Sequence, residues 1–472
     1  MKPAEPQRIY FLAICGTAMA SLAAMLKHKG YTVYGSDSGI YPPMSDFLAE
    51  QGIAAFSGFD PAHLDPAPDL VVVGNVISRG NVEIEEILDR RIPYISLPDA
   101  LREFCIRGHR SIVVTGTHGK TTTTSLIAWI FEKAGRDPNF LVGGIPNNFG
   151  RGFQVGQGAE IILEGDEYDS AYFEKAAKFL RYLPEVGVIN HIEYDHADIY
   201  NSLDEIILAF RRFVNLIPRR GLLVSCADYE TVRSVSARAF CPVESFGFSA
   251  GALWQPREVE VTDTGVRFTV LRGGEAMGAV EVALSGDHNV RNVLAAIAVA
   301  RHAGIGFPVI QAALQSFAGI RRRLEFKGEA GGIAVYDDFG HHPTAILETL
   351  HGFRRRHPEA RIWALFEPRS ATTRRSVFQE EMADAFAVAD AALIAPVDRP
   401  EKAPEGQRFS PEILAAELRR RGREAAAVAS IEEMLTYLLR HLRPGDVVIS
   451  FSNGPFGGIH DKLLTALHTS KA

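Results

Sequence analysis

The sequence predicts an α/β protein of three domains, each built on a mainly parallel sheet. Three observations carry this. At 472 residues the chain exceeds what one hydrophobic core usually organises. Short, continuously apolar runs alternate with helical patterns, as strands buried on both faces of a parallel sheet do. The alternation restarts twice, at Arg110 and after Arg321-Arg322-Arg323. The expected domains are therefore 1–107, 108–321 and 322–472.

In the first domain, Ile9 to Ile14, Thr32 to Tyr34 and Asp69 to Gly74 read as strands, with helices over Ser21 to Lys29 and Asn81 to Arg90. The second opens with a strand, Ser111 to Val114, then a glycine turn and a helix over Thr122 to Ala134. Glu160 to Leu163, Val186 to Ile189 and Gly221 to Val224 continue the sheet. From about Glu258 to Leu284 the pattern alternates around a Gly273-Gly274 turn, which predicts an antiparallel insertion. An alanine-rich helix, Asn292 to Ala303, stops at Gly304. The third domain offers strands over 333–336, 361–366, 391–395 and 447–451, with helices near 345–355, 376–388, 411–421 and 431–442.

Composition excludes several classes. A net charge of -7 argues against nucleic-acid or membrane-surface binding. No run approaches the ~18 apolar residues of a spanning helix. After Met1–Pro6, the apolar stretch is too short for a secretory segment. Cys15, Cys105, Cys226 and Cys241 are few and irregularly spaced, as free thiols of a reducing compartment are. A cytoplasmic protein is expected.

The chemistry concentrates after the strand at 111–114. Thr115-Gly116-Thr117-His118-Gly119-Lys120-Thr121 lies in the strand–turn–helix context that gives a phosphate-loop match its meaning. Backbone N–H groups and the helix start attract phosphates, Lys120 adds a cation, and Thr121 offers a magnesium ligand, with Thr122 beside it. The full pattern wants glycine where Val114 stands, and a shortened match also fits a plain structural turn. Two more strand ends bear on the choice. Glu164-Gly165-Asp166-Glu167 follows one and Asn190-His191-Ile192-Glu193-Tyr194-Asp195-His196 another; α/β sites collect at such ends. Glu164 suits magnesium, which prefers hard oxygens.

Together these residues resemble the Mur ligase family. The likeness continues through Gly286 to Asn292, Arg323, and Tyr336-Asp337-Asp338-Phe339-Gly340-His341-His342-Pro343-Thr344. It implies a Rossmann-like UDP-binding domain, a central P-loop ATPase-type domain and a C-terminal Rossmann-like domain. It also implies ATP and Mg²⁺, with a carboxylate activated as an acyl phosphate before an amine attacks. In that likeness Lys120 takes the γ-phosphate, Thr121 and Glu164 the first Mg²⁺, and His196 the second. Asn289 and Asn292 contact adenine, Asp338 the ribose, and Arg323 a phosphate. Several family members carry a carbamylated lysine; here no lysine occurs between Lys178 and Lys327. The subgroup using UDP-N-acetylmuramate also lacks it.

The first domain resembles the same subgroup. Only Gly16 of a three-glycine dinucleotide fingerprint stands, so the likeness implies a UDP-sugar pocket with Gly16, Thr17, Ser36, Asp37, Asn75 and Arg79 as contacts. Ser36-Asp37 is expected just after the second strand. Within the subgroup, Phe366-Glu367-Pro368-Arg369-Ser370 and Ser450 to His460 resemble the member that joins the tripeptide L-alanyl-γ-D-glutamyl-meso-diaminopimelate to UDP-N-acetylmuramate. His341, His342, Arg369, Ser370 and Asn453 are then expected to line the substrate side. The alanine-adding ligase is the near alternative, and a P-loop small-molecule kinase is the rival of another class. A monomer or weak homo-oligomer is expected, with domain closure around ATP.

Overall fold

The computed structural model describes residues 7–41 and 44–469. Met1–Pro6 lies outside them. Among the described residues no helix is long and apolar enough to cross a membrane.

Three main sheets run along the chain. The first has five parallel strands in the order Ala54–Ser57, Thr32–Asp37, Arg8–Leu12, Leu70–Val73, Tyr94–Ser96. This is a doubly wound order whose switch lies beside Arg8–Leu12, where ligands of such sheets sit. Ser36 and Asp37 are the last residues of the second strand rather than the loop after it. The helix Thr17–His28 starts four residues earlier than its apolar pattern indicated.

The central sheet has ten strands. Arg110–Thr115 lies between Glu160–Glu164 and Val186–Ile189, parallel to both. That order, not chain distance, brings the three chemistry-bearing strand ends side by side. The antiparallel insertion is present as Trp254–Val261, Val266–Arg272 and Glu275–Val282, beginning a few residues before Glu258. The phosphate-loop helix spans Lys120–Lys133 and its partner spans Asp287–His302. Both begin earlier than expected, so Lys120 and Asn289 are helical as well as Asn292. A hairpin, Asp169–Ala171 with Glu174–Ala177, was not apparent in the sequence. It reaches the first domain, where Phe173 packs edge-on to Tyr94 and Ser96 donates to Glu174 at 3.2 Å.

The third sheet has six strands, ordered Glu325–Ala330, Ile333–Asp338, Val447–Phe451, Ile362–Phe366, Ala391–Ile394, Glu424–Ala427. Only the first pair is antiparallel. Separate apolar clusters cover its two faces, one around Phe353, Phe366 and Phe386, the other around Trp363, Met434 and Leu463. The first and central domains instead share one continuous cluster, which runs from Ile9 and Met25 through Phe131 and Phe153 to Leu314.

Candidate active site

The phosphate loop is strapped to the neighbouring strand exit. Thr117 N donates to His191 O at 2.8 Å, and Glu193 N donates to Thr117 Oγ1 at 3.0 Å. Gly116 has φ +126°, and a Cβ there would lie 2.8 Å from His191 N. Gly119 caps the helix at φ +78°, and its Cβ would stand 2.3 Å from Asn292 Oδ1. Glycine is therefore required at both places, by backbone conformation and by close approach. Asn292 in turn accepts from Thr123 and donates to Asn289 at 3.0 Å. It is bound up with the underside of the loop.

Lys120 Nζ donates to Gly116 O at 2.8 Å and to both Glu167 oxygens at 2.8 and 2.9 Å. Burial alone would lower the Lys120 pKa, but Glu167 and Asp166 outweigh it and hold the ammonium above its usual range. Thr121 Oγ1 donates to Glu164 Oε1 at 2.9 Å, and Gly143 N donates to Glu164 Oε2 at 2.7 Å. Thr121 and Glu164 thus offer two hard oxygens side by side, a donor pair that fits magnesium.

A second group lies beyond Lys120. His196 Nε2 is 2.9 Å from Glu167 Oε1, and Lys178 donates to Asp166 at 2.7 Å. Ligand atoms of Asp166, Glu167 and His196 lie within 4.8 Å of one another. Burial would lower His196, yet Asp195 and Glu167 overcome it and lift its pKa to about 9. Against burial, Lys120 first and then His196 hold Glu167 below the usual carboxylate range. A buried place that draws in positive charge this strongly fits a second divalent cation.

Lys120, Thr121, Glu164, Asp166 and His196 border one cavity of about 430 Å³. From the central domain, Thr117 to Thr122, Glu164, His196, Asn289 and Asn292 line it. The C-terminal domain supplies Arg323, Asp338, His341, His342, Ser370 and Asn453. Arg323 Nη2 donates to Thr121 Oγ1 at 3.2 Å across the domain boundary, its guanidinium lying 5.3 Å over the Phe339 ring. Asp338 is buried and accepts from Leu324 N and Gly340 N, both at 2.7 Å. Asn453 Oδ1 is buried with no hydrogen-bond partner among the described residues, so a polar atom is left over for a ligand.

Some expected contacts stand elsewhere. Arg369 does not border this cavity; its guanidinium lies 3.7 Å from Glu367 and 3.8 Å from Asp398, beneath the Gly454 turn. The first-domain set lies at its own sheet end. Gly16 opens the helix Thr17–His28 without a side-chain cap, while Thr17 and Asn75 are exposed. Asp37 accepts from Cys15 N at 2.9 Å and from Gly39 N at 3.1 Å, shaping the loop there. Two residues have partners within the protein. Ser36 is fully buried, and its hydroxyl donates to Glu83 at 2.6 Å, which Tyr10 also engages. Arg79 is forked onto Glu85 at 2.8 and 2.9 Å on the surface. The Ser36 hydroxyl is thus engaged inside the fold, whereas Arg79, held only by an exposed ion pair, can exchange it for a ligand.

Asp166, Glu167, Lys178, Glu193 and Thr372 were not singled out individually from the sequence, yet all belong to this neighbourhood. Glu167 had a signal, being in the acid run after Glu164. Thr372 had none: it donates to Asp195 at 2.9 Å from another domain.

Comparison with known proteins agrees with this geometry. Residues 8–109 match the Mur ligase family catalytic domain, 114–300 the Mur ligase middle domain, and 322–454 the Mur ligase glutamate ligase domain. The chain is 39% identical to the UDP-N-acetylmuramate–L-alanyl-γ-D-glutamyl-meso-2,6-diaminoheptandioate ligase of Escherichia coli, over 98% of each chain. It is 34% identical to the UDP-N-acetylmuramate–L-alanine ligase of Desulforapulum autotrophicum, over 97% of this chain and 98% of that one. A solved murein peptide ligase from Psychrobacter arcticus superposes with TM-score 0.75 at 36% identity, covering 98% of both chains. The chain belongs to the Mur ligase family, ATP-dependent enzymes that form amide bonds.

Proposed function

We propose that this enzyme joins the tripeptide L-alanyl-γ-D-glutamyl-meso-diaminopimelate to the lactyl carboxylate of UDP-N-acetylmuramate, with ATP and Mg²⁺, in the cytoplasm, as a step of peptidoglycan recycling. The observation that carries the chemistry is the cavity that unites Lys120, the Thr121–Glu164 pair, Asp166 and His196 with Arg323, Ser370 and Asn453. The choice of amine is supported by the higher identity to the tripeptide ligases, 38–39% against 32–35% for the alanine ligases.

The roles follow from placement. Backbone N–H groups of residues 116–119 and the start of the helix receive the β- and γ-phosphates. Lys120 turns from Glu167 to the γ-phosphate. Thr121 and Glu164 would hold one Mg²⁺, and His196 with Asp166 and Glu167 a second. Bound there, the ions neutralise phosphate charge and bring two anions together. Arg323 faces the same phosphates from the other domain, and Asp338 is proposed for the ribose. Asn289 reaches the base, while Asn292 supports the loop beneath.

The muramyl carboxylate oxygen attacks the γ-phosphorus and ADP leaves. The peptide amine then attacks the acyl phosphate carbonyl, releasing phosphate and a proton. His341, His342, Ser370 and Asn453 are proposed for the substrate side. Arg369, flanked by Glu367 and Asp398, would meet a peptide carboxylate only by exchanging those partners. Gly16, Thr17, Asp37 and Asn75 are the contacts proposed for the UDP moiety, received at the open helix start.

The test is phosphate release by the enzyme with ATP and UDP-N-acetylmuramate, plus either the tripeptide or L-alanine. Release that depends on the tripeptide is expected. Preference for L-alanine assigns the chain to the alanine-adding reaction. A stable phosphorylated product formed without any amine would indicate a kinase instead.

A further inference from the structure

Three imidazoles from three separate segments converge on one carboxylate oxygen beside the phosphate loop. His118 Nε2 contacts Glu193 Oε1 directly, His342 Nδ1 lies 3.3 Å from it, and His191 Nδ1 lies 3.9 Å from it. Ligand atoms of His118, His191 and Glu193 all fall within 4.8 Å of one another. Tetrahedral zinc, with bonds of ~2.0–2.1 Å, keeps its ligand atoms about 3.3 Å apart. The His342 and His191 contacts with Glu193 match or exceed that spacing, whereas His118 sits closer and draws back to admit an ion, and His342 Nδ1 stands outside the 4.8 Å group.

The surroundings orient the donors as a metal site requires. His342 Nε2 lies 3.1 Å from Tyr194 O, and a carbonyl only accepts, so the proton is on Nε2. Nδ1 carries the ring's single in-plane lone pair, which accepts a long hydrogen bond from Thr344 N at 3.3 Å and lies 3.3 Å from Glu193 Oε1, so His342 joins a metal by giving up that bond. Two acceptors face each other, and a cation between them relieves the repulsion. Glu193 Oε2 is fixed by the Thr344 hydroxyl at 3.1 Å. The His191 ring stacks on Tyr229 at 3.6 Å and makes no hydrogen bond among the described residues.

We propose that His118, His191, His342 and Glu193 form a binding site for a zinc-class divalent transition metal, distinct from the oxygen-rich groups proposed for magnesium. Three nitrogens and one oxygen select such an ion over Mg²⁺, which favours oxygen ligands. His118 belongs to the phosphate loop and His342 caps the helix Pro343–Arg356 of the C-terminal domain. An ion here ties the two domains together at the mouth of the cavity, so occupancy holds the enzyme closed and slows turnover.

Cobalt(II) titration of the full chain in excess Mg²⁺ tests this, because four-coordinate cobalt gives intense visible bands and six-coordinate cobalt only faint ones. One equivalent with intense bands is expected, displaced by Zn²⁺. Binding should weaken at least tenfold in His191→Ala and in Glu193→Gln, and stay unchanged in His196→Ala. Glu193→Gln keeps the shape of the side chain, so it guards against a fold defect in the first variant, with circular dichroism as the check. Faint bands alone overturn the proposal. Bands that survive both substitutions but vanish in His196→Ala also overturn it, placing the ion on the Asp166 group.

Discussion

Lys120 shows how one side chain serves both the resting and the working site. At rest its ammonium is held by Glu167, whose side chain is almost wholly buried and also faces His196. Replacing it with methionine removes the cation proposed for the γ-phosphate and leaves Glu167 to His196 alone. Turnover of Lys120→Met is expected to fall on the order of 10²–10³-fold, as for loss of one preorganised electrostatic contact. A loss under tenfold, with the fold intact by circular dichroism, would remove Lys120 from the proposed role. Glu348 makes a different point. Burial lifts its carboxyl from 4.5 to about 7, even with Arg291 at 3.2 Å pulling it down. The folded state therefore holds a proton that the unfolded chain has released above pH 4.5. This contribution is complete below the unfolded value and is lost as pH rises through about 7. Glu348→Gln should match the wild type at pH 5 and exceed its stability at pH 8.5 by on the order of 1 kcal/mol. Denaturation midpoints across that range provide the measurement, and a difference independent of pH would mean that the Arg291 pair cancels the burial.

At the scale of elements, the site is set by which strands are neighbours and by how tightly helices approach the loop. Gly119 is the tightest point, with positive φ and no room for a Cβ between Asn292 and Asn190. Gly119→Ala strains the backbone and drives the loop from the helix Asp287–His302, so a cost of about 2 kcal/mol or more is expected. Loss of nucleotide binding should accompany it, measurable by calorimetry with ADP. An unchanged affinity would mean that the loop adjusts without Asn292. Much of this was legible in advance. The strands Val186–Ile189 and Val447–Phe451 were read to the residue, because continuous apolar runs between polar turns leave little choice of boundary. The helices Lys120–Lys133 and Asp287–His302 start earlier than the apolar pattern indicates, since Lys120, His288, Asn289 and Arg291 are polar residues bordering the cavity and break the apolar stripe. Ser36 illustrates the limit for side chains. Its neighbours in sequence suggested a ligand contact, whereas Glu83, 47 positions away, claims its hydroxyl. The helix Leu203–Val214 went unread although Ile206, Phe210 and Phe213 keep helical spacing and are buried. The Asp169–Ala177 hairpin has no apolar period, because its residues face another domain and not its own core.

For the whole molecule, the two domain boundaries differ in kind. The first and central domains share a continuous apolar cluster, so their relative position is costly to change. The C-terminal domain keeps its own clusters and meets the central one mainly through polar contacts. Thr372 donates to Asp195 at 2.9 Å, Arg375 to Ala197 O at 2.6 Å, and Arg355 to Asp287 at 2.8 Å. Each such contact exchanges for water at a net cost of about 1 kcal/mol, so the C-terminal domain is the one able to swing. Opening admits substrates, and closure brings Arg323 to Thr121 while excluding water from an acyl phosphate. Arg375 does not border the cavity and binds only a carbonyl of the central domain. Arg375→Ala combined with Thr372→Val should therefore shift the population toward open forms while leaving the phosphate loop and Glu164 in place, although Thr372 itself borders the cavity beside Asp195. Small-angle scattering of the ligand-free double variant should give a larger radius of gyration, returning to the wild-type value with an ATP analogue and UDP-N-acetylmuramate. kcat/KM should fall about tenfold for ATP and peptide alike, because a closing penalty of ~1.4 kcal/mol is shared by both substrates. A fall confined to the peptide would instead place these two residues in the amine site, and an unchanged radius would show that the boundary is held by contacts other than these.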